Sequence, residues 1–137
     1  MDTSINNSEE YKEYYQTICE ISPVGLFRTD NDGNIIYVNK LYEELTGTTL
    51  KNLKYDGWIK YIHERDLTMV LTEWQRCVRE RLKFALEFRI KKSDGKIIWV
   101  LGQATPVNSK NGYVGTITNI NKRKKLINEL IALKEAV

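Results

Sequence analysis

Cysteine and histidine, the side chains most used to hold zinc or haem iron, are sparse in this chain. Cys19 and Cys77 are its two cysteines and His63 is its single histidine. The cysteines stand apart, without C-x-x-C spacing, and one histidine cannot complete a zinc set with them. Reduced thiols that pack rather than react are the simpler expectation, as in a cytosolic protein. No nucleophile is paired with a base, and no two carboxylates are framed by other site residues. An enzyme reading therefore has little to rest on.

The elements that would position any site fit one domain of 137 residues, long enough for a real core. Hydrophobic residues make up 42% and charged residues 28%, an ordinary globular balance. No apolar run approaches membrane-spanning length, and the first ten residues, MDTSINNSEE, are too polar for a signal peptide. The net charge is +3. Residues 121–137 hold five Lys/Arg and two Asp/Glu, which accounts for all of it, since the other 120 residues carry 16 of each sign. A body without a basic surplus argues against nucleic acid as a partner.

Along the chain, residues 1–8 read as a disordered lead. Tyr11, Tyr14, Tyr15, Ile18 and Ile21 recur at helical steps over Glu9–Ile21, with Ser8 as the expected N-cap. The runs Leu26–Thr29 and Ile35–Val38 flank Asp30-Asn31-Asp32-Gly33-Asn34, a strong hairpin signal. Asn39 should cap a short helix that Gly47 ends. Asp66 is the expected N-cap of a longer helix over about 67–81, with Leu67, Val70, Leu71, Trp74 and Val78 on one face. Strands follow at 84–91, 97–105 and 113–120, separated by turns at KKSDGK and NSKNG, and a helix ends the chain. This order predicts an α+β fold with a five-stranded antiparallel sheet and flanking helices.

The order of elements and the punctuation together resemble a PAS domain of the subtype that closes in a PAC motif. The resemblance is carried by SPVGLFRTDNDGNIIYVNKLYEELTG, with its D-x-x-G turn and Asn39 cap, and by WIKYIHERDLTMVLTEWQRCV, with Trp58, His63, Asp66 and Trp74. It continues in FALEFRIKKSDGKIIWVLGQATPV and covers about residues 14–128. Two departures stand out. Glu64 replaces the usual proline after the histidine, and Asn119-Ile120-Asn121 replaces the closing Asp-Ile-Thr that links the last strand to the output helix. The implied organisation is a lead and cap helix at 1–21, a PAS core at 22–121 and a C-terminal signalling or linker helix at 122–137, cut from an effector.

The resemblance implies a cytoplasmic sensor or dimerisation module, one part of a longer signalling chain with a histidine kinase or diguanylate cyclase downstream. PAS domains cup small molecules between the inner sheet face and the helices. Alternation places Phe27, Thr29, Phe88 and Ile90 inward. The family pattern adds Ile36, Val38, Ile98, Val100 and Ile117, and the helices could supply Tyr42, Trp58 or His63. That lining suits a small apolar ligand; a filled core in a constitutive dimerisation module is the alternative. No specific cofactor is indicated. His63 lies in a loop motif rather than on the haem-binding helix, and the cysteine-bearing G-x-N-C-R-F-L-Q segment of flavin photoreceptors is absent.

Two apolar surfaces ask for partners. Leu26, Ile35, Tyr37, Trp99, Leu101 and Val114 fall on the outer sheet face, which Tyr11, Tyr15 and Ile18 of the first helix or a second protomer could cover. Leu126, Leu130, Leu133 and Val137 step by 4, 3 and 4, a heptad seam. The expectation is a homodimer through the first helix and the outer face, with the terminal helices running parallel beyond.

Overall fold

The computed structural model describes the backbone of residues 4–108 and 111–136, with side chains from Glu9 onward in those segments. Helix α1 (Ser4–Ile21) leads into strands β1 (Gly25–Thr29) and β2 (Ile35–Val38). Helices α2 (Lys40–Thr46) and α3 (Leu50–Leu53), a 3-10 turn at Gly57–Tyr61 and helix α4 (Glu64–Glu80) follow. Strands β3 (Phe84–Lys91), β4 (Ile97–Pro106) and β5 (Tyr113–Asn119) precede helix α5 (Asn121–Glu135). The strands form one antiparallel sheet in the order β2-β1-β5-β4-β3, the α+β architecture the pattern predicts.

Local chemistry explains most of these elements. In the first hairpin turn the Asp30 carboxylate accepts from the amides of Asp32 and Asn34, and Gly33 takes the positive φ the turn needs. Asn39 caps α2 by accepting from the Tyr42 amide at 3.0 Å, and Gly47 ends that helix in the left-handed region. The same Asn39 also accepts from the Leu26 amide at 2.8 Å and donates to the carbonyls of Cys19 and Val24. One buried side chain thus joins α1, β1 and α2.

Three expectations need correction. Helix α1 begins at Ser4, so residues 4–8 are helical rather than a disordered lead; residues 1–3 lie outside the described residues. Helix α4 begins at Glu64, and its cap is His63, whose Nδ1 accepts from the Arg65 amide at 3.1 Å. Asp66, the expected cap, sits inside the first turn, where its carboxylate faces β3. Finally, strand β2 carries a bulge. Arg28 opposes Tyr37 but Thr29 opposes Ile35, so Ile36 is the extra residue. Ile35 therefore turns into the core, and Ile36 and Tyr37 are only half-buried.

Both sheet edges are covered in part, which shortens the free ladders that could pair with other chains. Ile35 and Tyr55 exchange backbone hydrogen bonds along β2. Along β3, Ile62 bridges Ile90, the His63 amide donates to the Arg89 carbonyl, and Asp66 takes the Arg89 amide.

Candidate functional site

The inner face of the sheet, α2 and α4 enclose an aromatic cluster. The Trp74 ring meets Phe84 at 5.3 Å, Tyr113 at 5.1 Å, and Phe27 and Trp58 at 6.4 Å, all edge to face. Its indole N–H donates to the Gly33 carbonyl at 3.2 Å. The Tyr113 hydroxyl reaches the carbonyls of Cys77 and Leu82 at 2.8 and 2.9 Å, fastening the C-terminal end of α4 to the sheet. Glycines let these rings approach. A Cβ on Gly115 would stand 2.2 Å from the Phe27 ring, and one on Gly102 would stand 2.8 Å from the Phe88 ring.

What remains inside is a cavity of about 40 Å³. A water needs about 10–15 Å³, so this space holds a few waters at most. Organic ligands occupy sites of about 300–1,000 Å³. Phe27, Thr29, Tyr42, Trp58, Phe88 and Ile117 line the cavity, as do Gly33, Ile35, Val70, Trp74, Phe84 and Gly102. Trp58 is the one wall residue that is not fully buried, so the cavity would open there. Tyr42 is deeply buried in this wall, and burial pushes its pKa far up.

The remaining expected lining residues lie elsewhere. Val38, Ile90 and Val100 are buried in the surrounding core and do not line the cavity. Ile36 is turned outward by the bulge, onto an open groove with Tyr15 and Arg28. His63 is held at the α4 terminus by its capping bond. Trp74, Val70 and Phe84 are the wall residues that periodicity placed on an apolar face without marking them as a site. Ile35 was hidden by the bulge, and Gly102 gives a signal only once Phe88 is known to stand opposite.

The outer face is partly clothed. Cys19 is buried between the phenols of Tyr15 and Tyr37, and burial together with this thiol raises the pKa of both. Tyr11 and Ile18, expected to cover the face, instead point to solvent, because Tyr15 and Cys19 set which side of α1 meets the sheet. Both cysteines are free and buried. Cys77 lies in the core, where desolvation and then Glu73 raise its pKa.

Helix α5 leaves the sheet directly after β5. The Ile120 amide donates to the Trp99 carbonyl, and the Asn121 Oδ1 accepts from the Trp99 amide at 2.7 Å, so backbone and side chain extend the β4–β5 ladder. Asn119 accepts from the Asn121 amide at 2.9 Å. Glu87 on β3 binds both Arg123 and Lys124, and these cations lower its pKa. The Lys124 ammonium lies 4.4 Å from the Trp99 ring, whose environment also includes Arg89 at 5.2 Å. Basic residues in a helix's first turn oppose the macrodipole. Here Glu87 and Trp99 compensate for two of them. Beyond this turn Leu126, Leu130 and Leu133 are 55–67% exposed, so α5 does not fold back on its own domain. Val137, the fourth seam residue, lies outside the described residues.

This arrangement of sheet, helical cup and departing helix matches known proteins. A family model described as the PAS fold matches residues 35–121. The chain belongs to the PAS family. A PAS domain from Colwellia psychrerythraea superposes with a TM-score of 0.69 at 22% identity, over 82% of this chain and 98% of that one. An uncharacterised protein, y4lL, from Sinorhizobium fredii is 26% identical over 132 residues, covering 93% of this PAS chain and 16% of that protein. The peroxide stress-activated histidine kinase mak1 of Schizosaccharomyces pombe is 26% identical over 129 residues, covering 85% of this chain and 8% of the kinase. The chain thus spans a small part of the curated relatives it matches. It is a PAS sensory domain, a non-catalytic class of module, and no helix among the described residues is long and apolar enough to cross a membrane.

Proposed function

We propose that this PAS domain is a homodimerising relay that passes a change in its sheet to a downstream effector through α5. The observation that carries this reading is the form of α5: its first turn is fixed to β3 and β4, and its apolar stripe has no partner among the described residues. A displacement of β3 or β4 moves Glu87 or Trp99, and with them the base of the helix. The small cavity favours the filled-core version of the module over one built around a bulky ligand. The effector class is a histidine kinase or diguanylate cyclase, and the working compartment is the cytoplasm. Nucleic acid and membrane are not partners, since the basic excess is confined to α5, where Arg123 and Lys124 engage Glu87.

Sedimentation equilibrium tests this function. The wild-type chain should dimerise, and Leu130→Glu should weaken the dimer without altering the fold, because Leu130 lies outside the core. A chain that stays monomeric at high micromolar concentration would rule the relay out.

Small-molecule sensing, the second reading, is favoured by Tyr42, whose phenol stands on the wall of a largely apolar cavity. An apolar ligand larger than a few waters requires Trp58 to swing outward. Extraction and mass spectrometry of the native protein would reveal such a ligand, and its absence would leave the filled-core module.

A further inference from the structure

Helix α1 carries an outward stripe of its own. Tyr11, Tyr14, Ile18 and Ile21 step by 3, 4 and 3, and they are 59–76% exposed. That is heptad spacing, like the 4 and 3 steps of Leu126, Leu130 and Leu133 on α5. The neighbouring side of α1, with Tyr15 and Cys19, is taken by its own sheet. The chain therefore presents two apolar seams, both bare.

The two helices have opposite charge. Residues 4–21 contain four glutamates and one lysine, a net of −3. Residues 121–135 contain five Lys/Arg and two glutamates, a net of +3. Two α5 helices running parallel would bring both Lys122–Lys125 clusters side by side, with like charges opposed. An α1 helix laid on α5 meets opposite charge instead.

Topology makes the contact repeatable. Gly25 at the start of β1 pairs with Ile117 near the end of β5. The end of α1 and the start of α5 thus emerge at the same end of adjacent strands. A two-fold partner can use both helices at once, its α1 on this α5 and its α5 on this α1.

We propose that the apolar stripe of α5 is covered by α1 of a second copy of this chain. The proposal rests on the homodimer reading above, and it replaces a parallel α5–α5 seam with two identical acidic-on-basic contacts. A change that alters how α1 sits on its own sheet then reaches the partner's α5 directly.

Sedimentation equilibrium on the full 137-residue chain tests it, with salt and charge exchange as the variables. Raising NaCl from about 50 to about 500 mM should weaken the wild-type dimer about five-fold, because screening removes an attraction. Glu10→Lys with Glu13→Lys should weaken it about ten-fold, as should Lys122→Glu with Lys125→Glu in a separate chain. An equimolar mixture of the two variants should regain wild-type affinity, since both contacts of the heterodimer again join opposite charges. All four residues lie on exposed helix surface, so these changes leave the core intact. A dimer that tightens in salt, or in the Lys122→Glu/Lys125→Glu chain, would establish the α5–α5 seam and overturn the proposal while keeping the dimer. Failure of the mixture to recover would also overturn it. A monomeric wild type would overturn the proposal and the homodimer reading together.

Discussion

Asp66 offers the sharpest test of how α4 is held to the sheet. Its carboxylate, in a residue 6% exposed, accepts the Arg89 amide at 2.7 Å, Nε at 2.9 Å and Nη2 at 2.7 Å. Removing one partner of a buried pair costs about 3–5 kcal/mol. The Arg89 side chain keeps 23% of its surface in water, which screens the loss, so Asp66→Asn should cost about 2–3 kcal/mol. For a chain of this size that is a fall of about 6–15 °C in Tm. The pH dependence gives a second signature. Hydrogen bonds from Arg89 hold the folded carboxyl below its ordinary value of 3.8, more than burial raises it. A depressed folded pKa contributes stability that is fully present above the unfolded value and lost as pH falls through the folded one. The gap in Tm between wild type and Asp66→Asn should therefore be constant from neutral pH to about 5 and narrow in more acid solution. Differential scanning calorimetry across that range measures it. A loss under 1 kcal/mol, or a gap that stays the same below the ordinary carboxyl value, would refute the pairing argument.

Other perturbations probe the remaining joints. Glu87→Gln should loosen the first turn of α5, seen as faster amide hydrogen exchange at residues 122–126 with little change in the sheet; unchanged exchange would mean that Asn121 alone holds the helix. Lowering pH through the depressed Glu87 pKa should reproduce the effect in the wild type. Tyr113→Phe removes the hydroxyl that bonds Cys77 and Leu82 and should cost about 1–2 kcal/mol by urea denaturation, with native-like circular dichroism. Gly115→Ala drives a Cβ toward the Phe27 ring and should cost about 1–3 kcal/mol or more; a neutral result would mean that the aromatic cluster repacks freely.

Much of this protein was legible in its sequence, because the features concerned are local. Strand β3 alternates strictly, the DG turns demand positive φ, and Asn39 followed by a helical run is a capping signal. These suffice for element order, the antiparallel sheet and the PAS family. The exposed seam on α5 could also be read, since heptad spacing belongs to one helix. What the sequence alone left undecided depends on partners far away in the chain. Asp66 binds Arg89 across 23 residues, so a side chain with capping chemistry became an ion-pair partner and His63 took the cap. Ile35 and Ile36 exchanged faces because β2 had to match β1 through a bulge, which strict alternation cannot express. The cavity is the clearest case. Its apolar walls were foreseeable, but its volume is the small remainder after Phe27, Trp58, Phe84 and Tyr113 have packed edge to face around Trp74. Residue types set how much apolar volume there is to fill; only the mutual fit of those rings in three dimensions determines how much is left empty.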